Sequence, residues 1–288
     1  MFGVVQLIKP HKQIQMKKIL VATDFSACAG NAMEYAMELA KALNIEVCAL
    51  NAVGSMEGVY NNTYNAIYID DYRNSKKQAL ADWASSYSSK EQFKDVPVTT
   101  ASETGSLSTV ITKYIETNQV ELLVMGTMGS TGISGIFGSN SSMMVEKTKI
   151  PTLIIPLESK FSTNPVITLA TDFSSNLSAE DVNALNEIAF GLGTKQIDVL
   201  NVIEGPSWKT NAAGEEKLRK LLDKVSLEFN YTNESSTING ISNFTVSNNT
   251  DILCLVKRHH NIIYRLFTRS TVNQVMNKVI KAVLVLHE

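Results

Sequence analysis

Ala22-Thr23-Asp24-Phe25-Ser26 returns 148 residues later as Ala170-Thr171-Asp172-Phe173-Ser174, and this repeat constrains the fold more than any other feature of the chain. Leu50-Asn51-Ala52-Val53 returns as Leu200-Asn201-Val202-Ile203 at an offset of 150, and Glu121-Leu122-Leu123-Val124 as Asp251-Ile252-Leu253-Cys254 at 130. The offset drops by 20 because the second copy is shorter in its middle. Two matches at domain-sized spacing mean one fold present twice, not a many-repeat solenoid.

Each copy alternates strand and helix. In the first, Lys18 to Thr23 is an apolar run of strand length, and Ser26 to Asn44 puts Met33, Ala36, Leu39, Ala40 and Leu43 on one helical face. Further strands are expected at Glu46–Val53, Val96–Ala101, Val120–Met125 and Pro151–Ile155, with helices at Asp71–Phe93, Leu107–Thr117 and Ser141–Lys147. The second copy gives strands near Val166–Ala170, Ile197–Ile203, Asn230–Asn233, Asp251–Val256 and Ala282–Leu286, and a helix over Glu215–Phe229. Near-continuous apolar strands alternating with helices predict an α/β class: two tandem open parallel sheets, Rossmann-like, each covered on both faces. Residues 1–15 read as a loose extension or the product of an upstream start codon, 16–157 as the first domain, 158–164 as a linker and 165–288 as the second domain.

Charge excludes some partners. Cut at Leu157, each half carries 13 basic and 14 acidic residues, so neither is a cationic surface for nucleic acid or anionic membrane. No apolar run reaches the ~18 residues of a membrane span, and the first residues are too short and mixed for a secretory signal. The cytoplasm is the default address. Cys28, Cys48 and Cys254 are far apart among apolar neighbours, which suits buried free thiols in a reducing compartment.

The chemistry concentrates in one loop. After the fourth strand come five glycines in 13 residues, Gly126, Gly129, Gly132, Gly135 and Gly138, followed by Ser139, Asn140 and Ser141 at a helix start. Without Cβ atoms this backbone can bring N–H groups close to an anion, and the helix start adds unpaired donors. A flexible surface loop is the bland alternative. It is not a Walker loop, because no Gly-Lys-Ser/Thr closes it.

That loop position, with Thr-Asp-Phe-Ser after the first strand, resembles the universal stress protein family. The family pattern is Gly-x2-Gly, nine residues, then Gly-Ser/Thr; here Gly126, Gly129 and Gly138-Ser139 match, with eight residues between. The resemblance implies ATP or another adenine nucleotide, with or without magnesium, in the first half. It places Ala22 and Asp24 at the end of strand one with Asp24 near the ribose, Ala52 against the adenine, and Met125 flanking the base. Gly126, Gly129, Gly138, Ser139, Asn140 and Ser141 would hold the phosphates. For Asp24 the alternative is a turn residue ahead of the helix cap at Ser26.

In the second half Val256, His259, Thr268 and Arg269 replace Gly126, Gly129, Gly138 and Ser139, so close backbone approach to phosphate is lost there. Lys257, Arg258, Arg265 and Arg269 suit another anion or an acidic partner, against a solvated or packing loop. A nucleotide-binding regulator is therefore expected, against a weak ATPase or a nucleotide-free interaction module. Hydrolysis needs charge neutralisation, and the first loop holds no Lys, Arg or His. The apolar last strands are expected to pair antiparallel, making an intramolecular pseudo-dimer; the alternatives are covered edges or a homodimer.

Overall fold

The computed structural model describes residues 16–54, 63–127, 139–205, 210–257 and 282–288. The expected extension 1–15, Gly129, Gly132, Gly135, Gly138 and the basic loop after Lys257 lie outside these residues.

Within the first half the order is β1 (Lys18–Ala22), α1 (Ala27–Leu43), β2 (Glu46–Val53), α2 (Thr63–Ser88), β3 (Val98–Thr104), α3 (Leu107–Asn118), β4 (Leu122–Gly126), α4 (Ser139–Lys147) and β5 (Thr152–Ile155). The second half gives β6 (Ile167–Ala170), α5 (Asn183–Gly191), β7 (Gln196–Ile203), α6 (Ala212–Leu221), β8 (Ser226–Asn233), α7 (Thr237–Ser247), β9 (Ile252–Lys257) and β10 (Ala282–His287). Helix starts are capped by side chains: Ser26 accepts from the Ala29 N–H, Ser106 from Thr109 and Ser236 from Asn239. Asn44 ends α1 in the left-handed conformation that stops a helix.

Two strand-and-helix expectations need correction. The helix expected over Glu215–Phe229 ends at Leu221, and β8 begins at Ser226. Leu218, Leu221, Leu222, Val225 and Phe229 fit a helical period, but Leu227 and Phe229 pair with Ile197 and Val199 of β7. An eight-residue β7 needs that partner for its backbone groups, and ladder formation wins. Helix α2 starts at Thr63 rather than Asp71 and ends at Ser88, before a short 3₁₀ turn at Glu91–Phe93. No Gly or Pro interrupts residues 63–88, so nothing in the polar stretch stops the helix.

All strands form one ten-stranded sheet in the order β3-β2-β1-β4-β5-β10-β9-β6-β7-β8. Each half has the same internal order, read outward from the centre in opposite directions. Pairing is parallel throughout each half, and antiparallel only where β5 meets β10, with Val283 opposite Ile154, Leu284 opposite Leu153 and Val285 opposite Thr152. Leu153, Ile154, Val283, Leu284 and Val285 are buried, because apolar clusters cross this seam on both faces of the sheet. Helices α1 and α5 cover one face of it, and the Leu43 side chain lies where a Cβ on Gly191 would sit. Cys28, Cys48 and Cys254 are free and buried.

The seam generates a prediction. Leu284→Lys places an ammonium where both neighbouring strands and both apolar layers exclude water. The variant should lose ~3 kcal/mol or more in urea unfolding, whereas Val246→Lys on the exposed face of α7 should change stability by under ~0.5 kcal/mol. Equal stability of the two variants would mean the seam is not closed.

Candidate functional site

Strands β2 and β4 flank β1 on opposite sides, so the chain reverses direction across the sheet between β1 and β4. In doubly wound sheets that is where the loops beyond the strand ends part and leave a crevice. The turn after β1 is tightly specified. Thr23 N–H donates to the Leu50 carbonyl at 2.9 Å, and Asn51 Nδ2 donates to the Thr23 carbonyl at 2.8 Å. Phe25 N–H then bonds Thr23 Oγ1, and Ser26 N–H bonds Asp24 Oδ1, both at 3.0 Å. Phe25 has a φ of 65°, uncommon for a bulky residue, and its ring is held edge-on by Trp83 of α2.

The second half repeats this turn atom for atom. Phe173 N–H bonds Thr171 Oγ1 and Ser174 N–H bonds Asp172 Oδ1, again at 3.0 Å, and Phe173 has a φ of 58°. Asn201 Nδ2 donates to the Thr171 carbonyl at 2.7 Å. The repeated motif is therefore first a backbone device, since it persists where the glycines do not. Asp24 is exposed on it, with one carboxylate oxygen on the Ser26 N–H.

The end of β4 separates the halves. A Cβ on Gly126 would lie 2.8 Å from the Cys28 carbonyl oxygen, 2.8 Å from its Sγ and 2.9 Å from its carbonyl carbon. Helix α1 thus begins directly against the Gly126 backbone, a contact no other residue type permits. Thr127 is buried and donates its N–H to the Ile155 carbonyl at 3.1 Å. Across the glycine loop, Ser141 Oγ donates to the Gly126 carbonyl at 2.7 Å, tying the first turn of α4 to the end of β4. Ser139 and Asn140 stand exposed at the same helix start. On the sheet face below, Ala22 and Met125 are buried in one apolar cluster and Ala52 packs against it.

Of the residues singled out from sequence, the structure brings Gly126 and Ser141 into contact and puts Ala22, Ala52 and Met125 on one face. Gly129 and Gly138 lie outside the described residues. Sequence reasoning missed Cys28, whose backbone sets the requirement for glycine at 126. It also missed a second asymmetry. Helix α1 starts three residues after Asp24, whereas α5 starts eleven residues after Asp172. Val256 stands where the first half has Gly126. Among the described residues no three His, Cys, Asp or Glu side chains converge as a metal site, and no helix is long and apolar enough to cross a membrane.

The doubly wound sheet defines a Rossmann-like α/β protein. Residues 16–156 match the model of the Universal stress protein family, and the chain carries a domain of that family. No curated protein matches the chain in sequence. Among solved structures it is similar to a universal stress protein from Archaeoglobus fulgidus, at 14% identity, a TM-score of 0.65, and coverage of 94% of this chain and 96% of that one. A candidate universal stress protein from Pseudomonas aeruginosa gives 13% identity, a TM-score of 0.56 and coverage of 94% and 93%. A functionally unknown protein from the same species gives 12%, 0.53, and 94% and 92%. At these identities the likeness is one of fold, and it spans both halves.

Gly126→Ala tests the α1–β4 contact. It should cost about 1–3 kcal/mol in chemical denaturation, because two of the three crowding atoms are backbone and cannot swing aside. Adding Cys28→Ala should recover none of that loss. Full recovery would put the crowding on the thiol alone.

Proposed function

We propose that the chain is a universal stress-type regulatory protein that holds ATP or a related adenine nucleotide in its first half only. The observation that carries this reading is the paired contrast at the two crevices. In the first half α1 abuts a glycine backbone and Ser141 holds α4 against the strand end. In the second, Val256 replaces that glycine and the helix begins later.

The residues fit such a ligand in kind. Ala22 and Ala52 are small residues on one face of the sheet, where a planar base would pack with Met125 beside it. Asp24 supplies a carboxylate for ribose hydroxyls. Ser139 and Asn140 offer hydroxyl and amide donors at a helix start whose unpaired N–H groups favour phosphate. Ser141 serves through Gly126, since its hydroxyl proton is engaged there. When bound, the nucleotide supplies the signal, and the protein residues bind and orient it. Magnesium accompanies the phosphates in one form of this reading.

The same reading takes 16–157 and 165–288 as two domains joined by 158–164, the second serving as a structural partner. It also assigns the protein to the cytoplasm and to the stress response, on the strength of the family segment at 16–156.

Calorimetry on the full chain provides the test. ATP should bind with a stoichiometry of one, and Gly129→Lys or Gly138→Val should each weaken it at least ~10-fold, roughly 1.4 kcal/mol, without lowering the melting temperature. Binding of two nucleotides, or an unchanged dissociation constant in both variants, would overturn the reading.

A further inference from the structure

Helix α4 carries Ser139 and Asn140 at its start, and its far end is held by the other half of the molecule. Lys257, the last residue of β9, donates from Nζ to the carbonyl of Glu146, one residue before α4 ends. That carbonyl is among the last four of the helix, which have no partner within it. The ammonium also meets the negative end of the helix dipole.

The helix receives this contact because it lies over the seam. Met144 and Val145 are buried in the same apolar cluster as Ile154 of β5 and Val283 and Val285 of β10. Within its own half α4 is tied by Ser141 Oγ to the Gly126 carbonyl at 2.7 Å and by Lys147 Nζ to Ser108 Oγ at 3.2 Å. Lys257 adds a tie from the second half. The equivalent residue of the first half, 130 positions earlier, is Thr127, and it turns inward instead. Thr127 is buried, its N–H bonds the Ile155 carbonyl and its Oγ1 lies 3.6 Å from Cys28 Sγ. The two strand ends are used differently, and the lysine comes from the half that carries Val256 in place of the glycine.

Nine residues make a rod of about 13 Å. So short a helix is marginal by itself and keeps its pose through its contacts. Fixing its carboxyl end therefore fixes the direction in which the N–H groups of its first turn point at the other.

We infer that Lys257 is a positioning residue for the first crevice: by holding the carboxyl end of α4 it orders the start of that helix, so the second half sets the affinity of the first for the phosphates of its ligand. This rests on the nucleotide reading above. Lys257 stands at the opposite end of α4 from Ser139 and acts through the helix. Adenosine, which has no phosphates, should not sense it.

Calorimetry on the full chain, with ATP and with adenosine, provides the test. Lys257→Met keeps the apolar stem but cannot donate. It should bind ATP about fivefold more weakly, the worth of a single cation at a helix end, with adenosine affinity unchanged. Lys257→Arg still donates and should keep ATP affinity within about twofold of the parent. Lys149→Met removes an exposed positive charge just beyond the same helix end without touching the bond, and should also stay within about twofold. Equal ATP affinity in the parent and Lys257→Met, an equal loss for ATP and adenosine, or an equal loss in Lys149→Met would each overturn the inference and leave nucleotide binding by the first crevice standing. Failure of the parent to bind ATP would instead overturn the reading beneath it, and the inference with it.

Discussion

Everything else in the structure depends on three residues of β5 facing three of β10. A parallel five-stranded set built on β5 or β10 alone would end in a bare ladder of backbone donors and acceptors, flanked by apolar side chains. Such an edge would template aggregation. Joined, the two strands satisfy each other's backbone groups, and the apolar layers above and below become continuous across the molecule. Lys257 reinforces the join by donating from the end of β9 to the Glu146 carbonyl near the end of α4. A cation there also suits the negative end of the helix dipole.

Antiparallel pairing at the centre has a geometric consequence. Because strand direction reverses at the seam, the carboxyl ends of β1 and β4 and those of β6 and β9 open at opposite edges of the sheet. The two crevices are therefore remote and free to diverge. The turn after the first strand has not diverged, since its hydrogen bonds and the left-handed Phe hold the same sites in both halves. The end of the fourth strand has. Gly126 lets α1 begin directly against it where the second half carries Val256, and a helix start with its unpaired N–H groups is what the first crevice offers an anion.

Much of this was legible in the sequence, for identifiable reasons. The repeat carried the fold because apolar strands buried on both faces leave a strong signal, and the final strands announced their pairing by being apolar at an edge. Residues 222–229 misled because apolar spacing there fits a helix, while the unpaired edge of β7, a non-local demand, required a strand. The delayed start of α5 was invisible because Ser174 repeats the capping residue Ser26, yet no helix begins directly behind it. Gly126 was legible as a glycine but not for its reason, since Cys28 gives no sign in sequence of where its carbonyl will lie.

The central proposal is that one sheet carries two unequal crevices, of which only the first binds nucleotide. Hydrogen exchange of the full chain with and without ATP tests it most directly. Slowed exchange should appear at the amides of 126–127 and 139–141 and be absent at 171–174 and 256–257. Equal protection at both ends of the sheet, or protection confined to the second, would contradict the account.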